Sequence, residues 1–201
     1  MTKHGLGIAI VVGAIGTLGV LGYWGWYEYT KVCCALPDPD EEIVFLPSFD
    51  ACAELYPVME SYPRQCNTPD GQHFVENIGN ELEKTDLIRI ELPRPNTTVQ
   101  SPLEIKGEAR GTWFFEASFP VVLTDWDGKI IANGIATAGD GSVSSTSDWM
   151  TEDFVPFTAS LEFALPVYSN RGSLILQKDN PSGLPEHDDA LEVPVLFDVS
   201  E

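Results

Sequence analysis

Hydrophobic residues follow three different rhythms along this chain, and each predicts a different kind of structure. From Leu6 to Trp26 they are nearly continuous and no charge interrupts them. That length suits a helix crossing a hydrocarbon core of roughly 30 Å at 1.5 Å per residue. Tyr23, Trp24, Trp26, Tyr27 and Tyr29 crowd the end of the run, and such rings favour the headgroup layer. Lys3 and the amino group precede the run, and Lys31 follows it beside Glu28. This slight bias predicts an N-terminus inside the cell and a body outside. Residues 1–31 are therefore read as a cytoplasmic N-terminus and an uncleaved single-pass anchor. A cleaved signal peptide would have a shorter apolar region; the one candidate cleavage site ends at Ala35. Gly13, Gly16, Gly19, Gly22 and Gly25 recur every three residues. That spacing drifts around a helix, so it describes a small-residue-rich anchor better than a dimer face.

From Asp86 the rhythm is alternation. Leu87–Leu92 and Leu103–Ala109 alternate, Phe119–Thr124 is apolar and β-prone, and Asp127-Gly128 signals a hairpin turn before Lys129–Ala138. Phe157–Phe163 and Ser173–Lys178 alternate again, and Leu191–Val199 closes the pattern. About seven short strands split by Pro and Gly turns predict an all-β domain over residues 86–200. The expected architecture is an immunoglobulin-like, antiparallel β-sandwich of two sheets.

Between these regions the periodicity is brief. Pro37-Asp38-Pro39-Asp40-Glu41-Glu42 makes residues 32–42 a stiff acidic linker. Residues 43–80 read as a small module. Ser48 caps a short helix through Phe49, Ala51, Cys52 and Leu55, which Pro57 ends. Arg64-Gln65-Cys66 and His73-Phe74-Val75 are short strands joined by a Thr68-Pro69-Asp70-Gly71 turn. So small a hairpin is not stable alone. A Cys52–Cys66 bond would staple helix to hairpin, worth about 3 kcal/mol for a loop of this length in the chain-entropy model. The adjacent Cys33 and Cys34 leave three arrangements open: free thiols, a vicinal bond, or an intermolecular bond across a homodimer. No cysteine has zinc or haem spacing.

Charge narrows the partners. The chain carries −20, and residues 1–31 sum to +1, so the excess acid lies entirely in the body. Such a surface repels nucleic acid and anionic lipid headgroups. Catalytic chemistry has little to stand on. His4 adjoins the anchor, His73 sits in the cysteine module, and Ser182 and His187 share a turn-rich loop with Asp188 and Asp189. No nucleophile elbow, phosphate loop or metal-binding helix is present, so the chain reads as a non-enzyme. No cofactor and no metal are expected. The carboxylates of Asp125, Asp127 and Asp140, and of the loop holding Asp179, Glu186, Asp188 and Asp189, read as solvated rather than as a Ca²⁺ site. The unusual cluster is Arg110, Trp113, Phe115, Glu116, Trp149 and Glu152. Trp and Arg are common binding anchors. The same residues also suit a plug at the open end of the sandwich, with Arg110 neutralising Glu116 or Glu152.

Two resemblances add to this reading. Phe49, Cys52, the stretch Pro57-Val58-Met59-Glu60-Ser61-Tyr62-Pro63-Arg64-Gln65-Cys66, and Asp70-Gly71 resemble a short cysteine module of bacterial envelope proteins. A second set looks like the immunoglobulin-like domain family of bacterial spore germination, over residues 87–199. It comprises Ser101-Pro102-Leu103, Gly107–Gly111, Trp113–Pro120, Asp127-Gly128, Trp149-Met150-Thr151, Phe154–Phe157 and Lys178–Gly183. The resemblance implies an extracytoplasmic sandwich used for binding, without the germination-type partner domain that often accompanies it. The expected function is a membrane-anchored, extracytoplasmic binding or assembly module whose partner is an envelope protein or a cell-wall polymer. The competing expectation is a structural spacer with no specific ligand; a hydrolase is a distant third.

Overall fold

The computed structural model describes residues 46–139 and 149–198. The expected anchor, the acidic linker, Cys33, Cys34 and Asp140 lie outside the described residues, among which no helix is long and apolar enough to cross a membrane.

The cysteine module forms around its staple. The Ser48 hydroxyl accepts the Ala51 N–H at 3.3 Å and opens α1, Phe49–Leu55. A disulfide joins Cys52 of α1 to Cys66, with Cα atoms 6.1 Å apart, and both sulfurs are fully buried. Cys66 lies in β2, Gln65–Asn67, which pairs antiparallel with β3, His73–Val75. The intervening turn closes through Gly71 N–H to Thr68 O at 3.1 Å, with Gly71 at φ 91°, a region open to glycine. The expected hairpin gains a third strand: β1, Val58–Met59, pairs with the other side of β2. Two residues are too few to show a period, so no sequence pattern announces it.

Chain and module then lock onto the β-domain. Asn80 accepts the Glu192 N–H at 2.8 Å through its side chain and donates to the Ala190 carbonyl at 3.0 Å. Gly79, at φ 74°, lies so close to Glu192 that a Cβ would overlap its carbonyl oxygen. Asn96 donates to Glu76 at 3.0 Å and to the Asn77 carbonyl at 2.8 Å. Arg64 pairs with Glu76 at 2.7 Å and, through its hydrogen bonds, holds that carboxyl below the usual carboxylate range. Glu81, in the one-turn helix α2 (Glu81–Lys84), is buried and pairs with Arg94 at 2.8 Å while accepting the Tyr62 hydroxyl. Burial, and then the Glu81 carboxylate, push the Tyr62 phenol above its ordinary value. From Ser48 on, the described residues make one compact unit.

The β-domain comprises β4 (Ile88–Leu92), β5 (Thr98–Val99), β6 (Leu103–Arg110), β7 (Ser118–Asp125), β8 (Ile130–Ala138), β9 (Phe154–Leu161), β10 (Arg171–Gln177) and β11 (Ala190–Phe197). Alternation works as expected: β6 buries Leu103, Ile105 and Ala109 and turns Glu104 and Lys106 outward. Two expectations change. Hydrogen bonding runs through all eight strands in the order β4-β6-β9-β8-β7-β10-β11-β5 rather than through two separate sheets. β8 and β9 meet at only two register pairs, Thr137–Thr158 and Ala138–Phe157, so the sheet turns a corner there and both halves share one core. The sandwich is also not wholly antiparallel, because β5 pairs in parallel with the end of β11. The strand expected to begin at Phe157 begins at Phe154, where Arg110 and Phe154 are register partners.

Register defines two ends. At one lie the end of β7, the start of β8 and the start of β10, with Asp125 opposite Gly172 and Thr124 opposite Ile130. At the other lie the end of β6 and the starts of β7 and β9. The eight residues of β7 separate them by roughly 25 Å.

Candidate binding surfaces at the two ends of the sandwich

The predicted cluster gathers at the end where β6 finishes. Gly111–Trp113 forms a single 3-10 turn after β6. A Cβ on Gly111 would overlap the carbonyl oxygens of Trp149 and Thr151, so glycine lets the segment carrying Trp149 close over this turn. Trp113 is 1% exposed and belongs to the core. Its carbonyl accepts the Asp179 N–H at 3.1 Å. Its indole N–H has no hydrogen-bond partner among the described residues. In the same core, Phe119 packs edge to face with Phe114 and with Phe157, with centroids 5.2 and 5.0 Å apart. Trp149 is half-buried against the same core.

Arg110 departs from expectation. It pairs with neither Glu116 nor Glu152 through a carboxylate. Its guanidinium donates to the backbone carbonyls of Asp86 at 3.0 Å and Glu152 at 2.9 Å. It lies over the Phe154 ring at 4.1 Å, not over an indole, and Arg89 lies 4.0 Å from the same ring. Arg89 in turn pairs with Glu108 at 2.9 Å. Planar guanidinium groups satisfy both needs at once, stacking on a ring while donating in plane.

Phe115 and Glu116 occupy a tight hairpin tip. Glu116 and Ala117 adopt φ of 52° and 62°, and Phe115 and Ser118 exchange backbone hydrogen bonds of 3.0 and 3.1 Å. Two successive left-handed residues are what a type I′ turn requires, and without glycine the geometry costs conformational energy. The result holds Phe115 exposed beside the sealed end. Next to it an open cleft of about 380 Å³ is lined by Gly111, Thr112, Phe114 and Trp149–Glu152; Met150 at its rim is 74% exposed.

The remaining candidates scatter. His73 is exposed in β3, its Nδ1 2.6 Å from Asn67 Oδ1. His187 ends an exposed 3-10 turn, Pro185–His187. The loop around Ser182 is organised by Asn180, whose side-chain oxygen accepts the Ser182 N–H and hydroxyl and whose amide donates to Asp188 at 2.7 Å. Asp189 pairs with Lys84 at 2.6 Å. Among the described residues no group of three or more acidic, His or Cys side chains converges on a metal-sized site.

The opposite end holds residues that sequence reasoning passed over. Trp126 precedes the Asp127-Gly128 turn and is 64% exposed; Val167 and Tyr168, between β9 and β10, are 84% and 92% exposed. With Ile130, Leu165 and Lys129 they border an open groove of about 360 Å³. The signal was in the sequence: Phe163–Asn170 contains no charge, in a segment too short and Pro-broken to be read as core.

Comparison with known proteins agrees with this architecture. Residues 87–183 match the family described as the immunoglobulin-like domain of bacterial spore germination. That match covers just under half of the chain and describes the sandwich. The chain matches none of the curated proteins and no solved structure.

Proposed function

We propose that this protein is a membrane-anchored extracytoplasmic module of a bacterial cell envelope. In this reading it is non-catalytic and captures an envelope protein or a cell-wall polymer at the end of the sandwich bearing Phe115, Trp149 and Met150. The observation that carries the reading is the division of labour at that end. Trp113 is consumed by the core, while Phe115 is held out on an energetically costly turn beside an open cleft. A spacer has no need of either the turn or the exposed Phe and Met. The match to a germination-type immunoglobulin-like domain supports an extracytoplasmic, non-catalytic module.

The test is crosslinking of the full chain in intact envelopes, comparing the native sequence with the double variant F115S/M150D. The expected result is a defined crosslinked partner, or retention on purified wall polymer, that the double variant loses while its melting temperature holds. Recovery of no partner and no wall-polymer binding by the native chain would overturn the proposal and leave the spacer reading.

A further inference from the structure

An open strand edge is a row of unpaired main-chain groups, and proteins blunt such edges with charge, proline, bulges or brevity. β4, at one end of the sheet, carries Arg89 and Glu91, a register shift between Ile90 and Leu92, and Pro93 directly after it. β5, at the other end, is two residues long. The corner leaves part of β8 open as well, and there these devices are missing. β8 runs nine residues, Ile130–Ala138, with no charge and no proline. Its register shift against β7 falls between Ile130 and Ala132, ahead of the open stretch. Only Thr137 and Ala138 have register partners on β9.

Hydrogen bonding shows which groups are left over. The Ala138 N–H donates toward β7, to Ala117 at 2.8 Å, and the Gly139 N–H donates toward β9, to Pro156 at 2.7 Å. Alternation along an antiparallel strand then aims the main-chain groups of Gly134 and Ala136 at β7. Those of Asn133 and Ile135 aim off the other edge, where no described strand pairs with them. A Cβ on Gly134 would overlap Leu161 of the core, so Gly134 faces inward and its neighbours outward. Asn133 is exposed and Ile135 is 65% exposed. Beside them on the outer face stand Val122 and Pro120 of β7, again without charge.

We infer that this edge of β8 pairs antiparallel with the same edge of a second copy of the chain. A two-fold contact sets each surface against itself, so any charge there meets its own like. Two chains of −20 each can approach on a two-fold only where the surface is bare of carboxylates, and this stretch is. A foreign basic strand would find no carboxylate here to attract it. With the axis at Gly134, Asn133 of one copy stands opposite Ile135 of the other, and both sets of leftover N–H and C=O groups are satisfied at once. The inward side of the axis holds only glycine, and the outward side covers both Ile135 side chains.

The test uses the full chain in dodecyl maltoside, with Cys33→Ser and Cys34→Ser so that neither thiol competes. Chains with Asn133→Cys and Ile135→Cys, differently tagged, are mixed and oxidised; Glu104→Cys, exposed on β6, is the control. The mixed 133–135 disulfide should form about tenfold faster than 133–133 or 135–135, because diagonal positions lie at or past the reach of the bond. Ile135→Lys should turn a dimer into a monomer in sedimentation while the melting temperature holds, since an exposed edge lysine blocks pairing without disturbing the fold. Equal rates for the three pairs, or rates no faster than those of Glu104→Cys, overturn the inference. So does a native chain that sediments as a monomer throughout, or a dimer that survives Ile135→Lys.

Discussion

Trp113 stands where β6 has ended and β7 has not begun, a position that sequence alone leaves open to two roles. An indole there either fills the mouth of the sandwich or waits for a ligand. Its 1% exposure and its membership of the same core as Phe114, Phe119 and Phe157 give it the first role. Trp113→Ala should therefore cost about 3 kcal/mol or more, as truncations of buried aromatic residues do. Met150→Asp at the neighbouring rim should stay within about 0.5 kcal/mol, as exposed positions do. Chemical denaturation of both variants checks the contrast; a Trp113→Ala protein as stable as the native one would contradict the plug. Arg110 shows why a residue's type can be legible when its partner is not. Its need for acceptors is written in the sequence. Which acceptors meet it depends on where Asp86 and Glu152 arrive, and those come from segments 24 and 42 residues away that only folding aligns.

At the scale of elements, the helix–hairpin module is the part that most needs covalent help. α1 and three strands of two or three residues bury too little surface to hold together alone. The Cys52–Cys66 bond was readable because the Ser48 cap, the helix pattern and the Thr68–Gly71 turn each limit where the two cysteines can go. Replacing both cysteines with serine should lower the local stability of residues 48–76 by roughly 2–4 kcal/mol. Hydrogen exchange should show the loss in that module while β6, β7 and β9 keep their protection. Equal loss of protection in both regions would mean that module and sandwich unfold as one. β5 was not readable. Thr98–Val99 is two residues long and pairs with Leu196 and Phe197, nearly one hundred positions later, so neither period nor proximity marks it.

At the scale of the whole molecule, module and sandwich are joined by a polar clamp rather than by a continuous apolar interface. Glu76 holds Arg64 on the module side and Asn96 on the sandwich side. Because Arg64 hydrogen-bonds the carboxylate, the folded-state pKa of Glu76 lies below its ordinary value. The stabilisation it brings is thus present above the ordinary carboxylate range and is lost as pH falls through the depressed folded value. Tyr62 is shifted in the opposite sense, upward, chiefly by burial and then by Glu81, so its contribution holds at neutral pH and is lost only in strong alkali. Acid should therefore loosen the module before it melts the sandwich, and Glu76→Gln should flatten the acid limb of a stability–pH curve. An unchanged acid limb in that variant would assign the pH dependence to other carboxylates.

The sequence by itself determined the alternating strands, the helix cap, the disulfide pair and the acidity of the body. All of these follow from local periodicity, from the special geometry of Ser, Gly and Cys, or from short separations along the chain. Only the tertiary structure decided the rest: that the two sheet halves share one hydrogen-bond network, that Arg110 takes carbonyls instead of carboxylates, that Trp113 is buried while Phe115 is held out. It alone placed Trp126 beside Tyr168. Those two residues lie on different loops, brought together because β7 and β10 pair in register from Val121–Leu176 to Asp125–Gly172. Exposure is a property of what packs nearby, and what packs nearby is set by long-range pairing that no local pattern encodes.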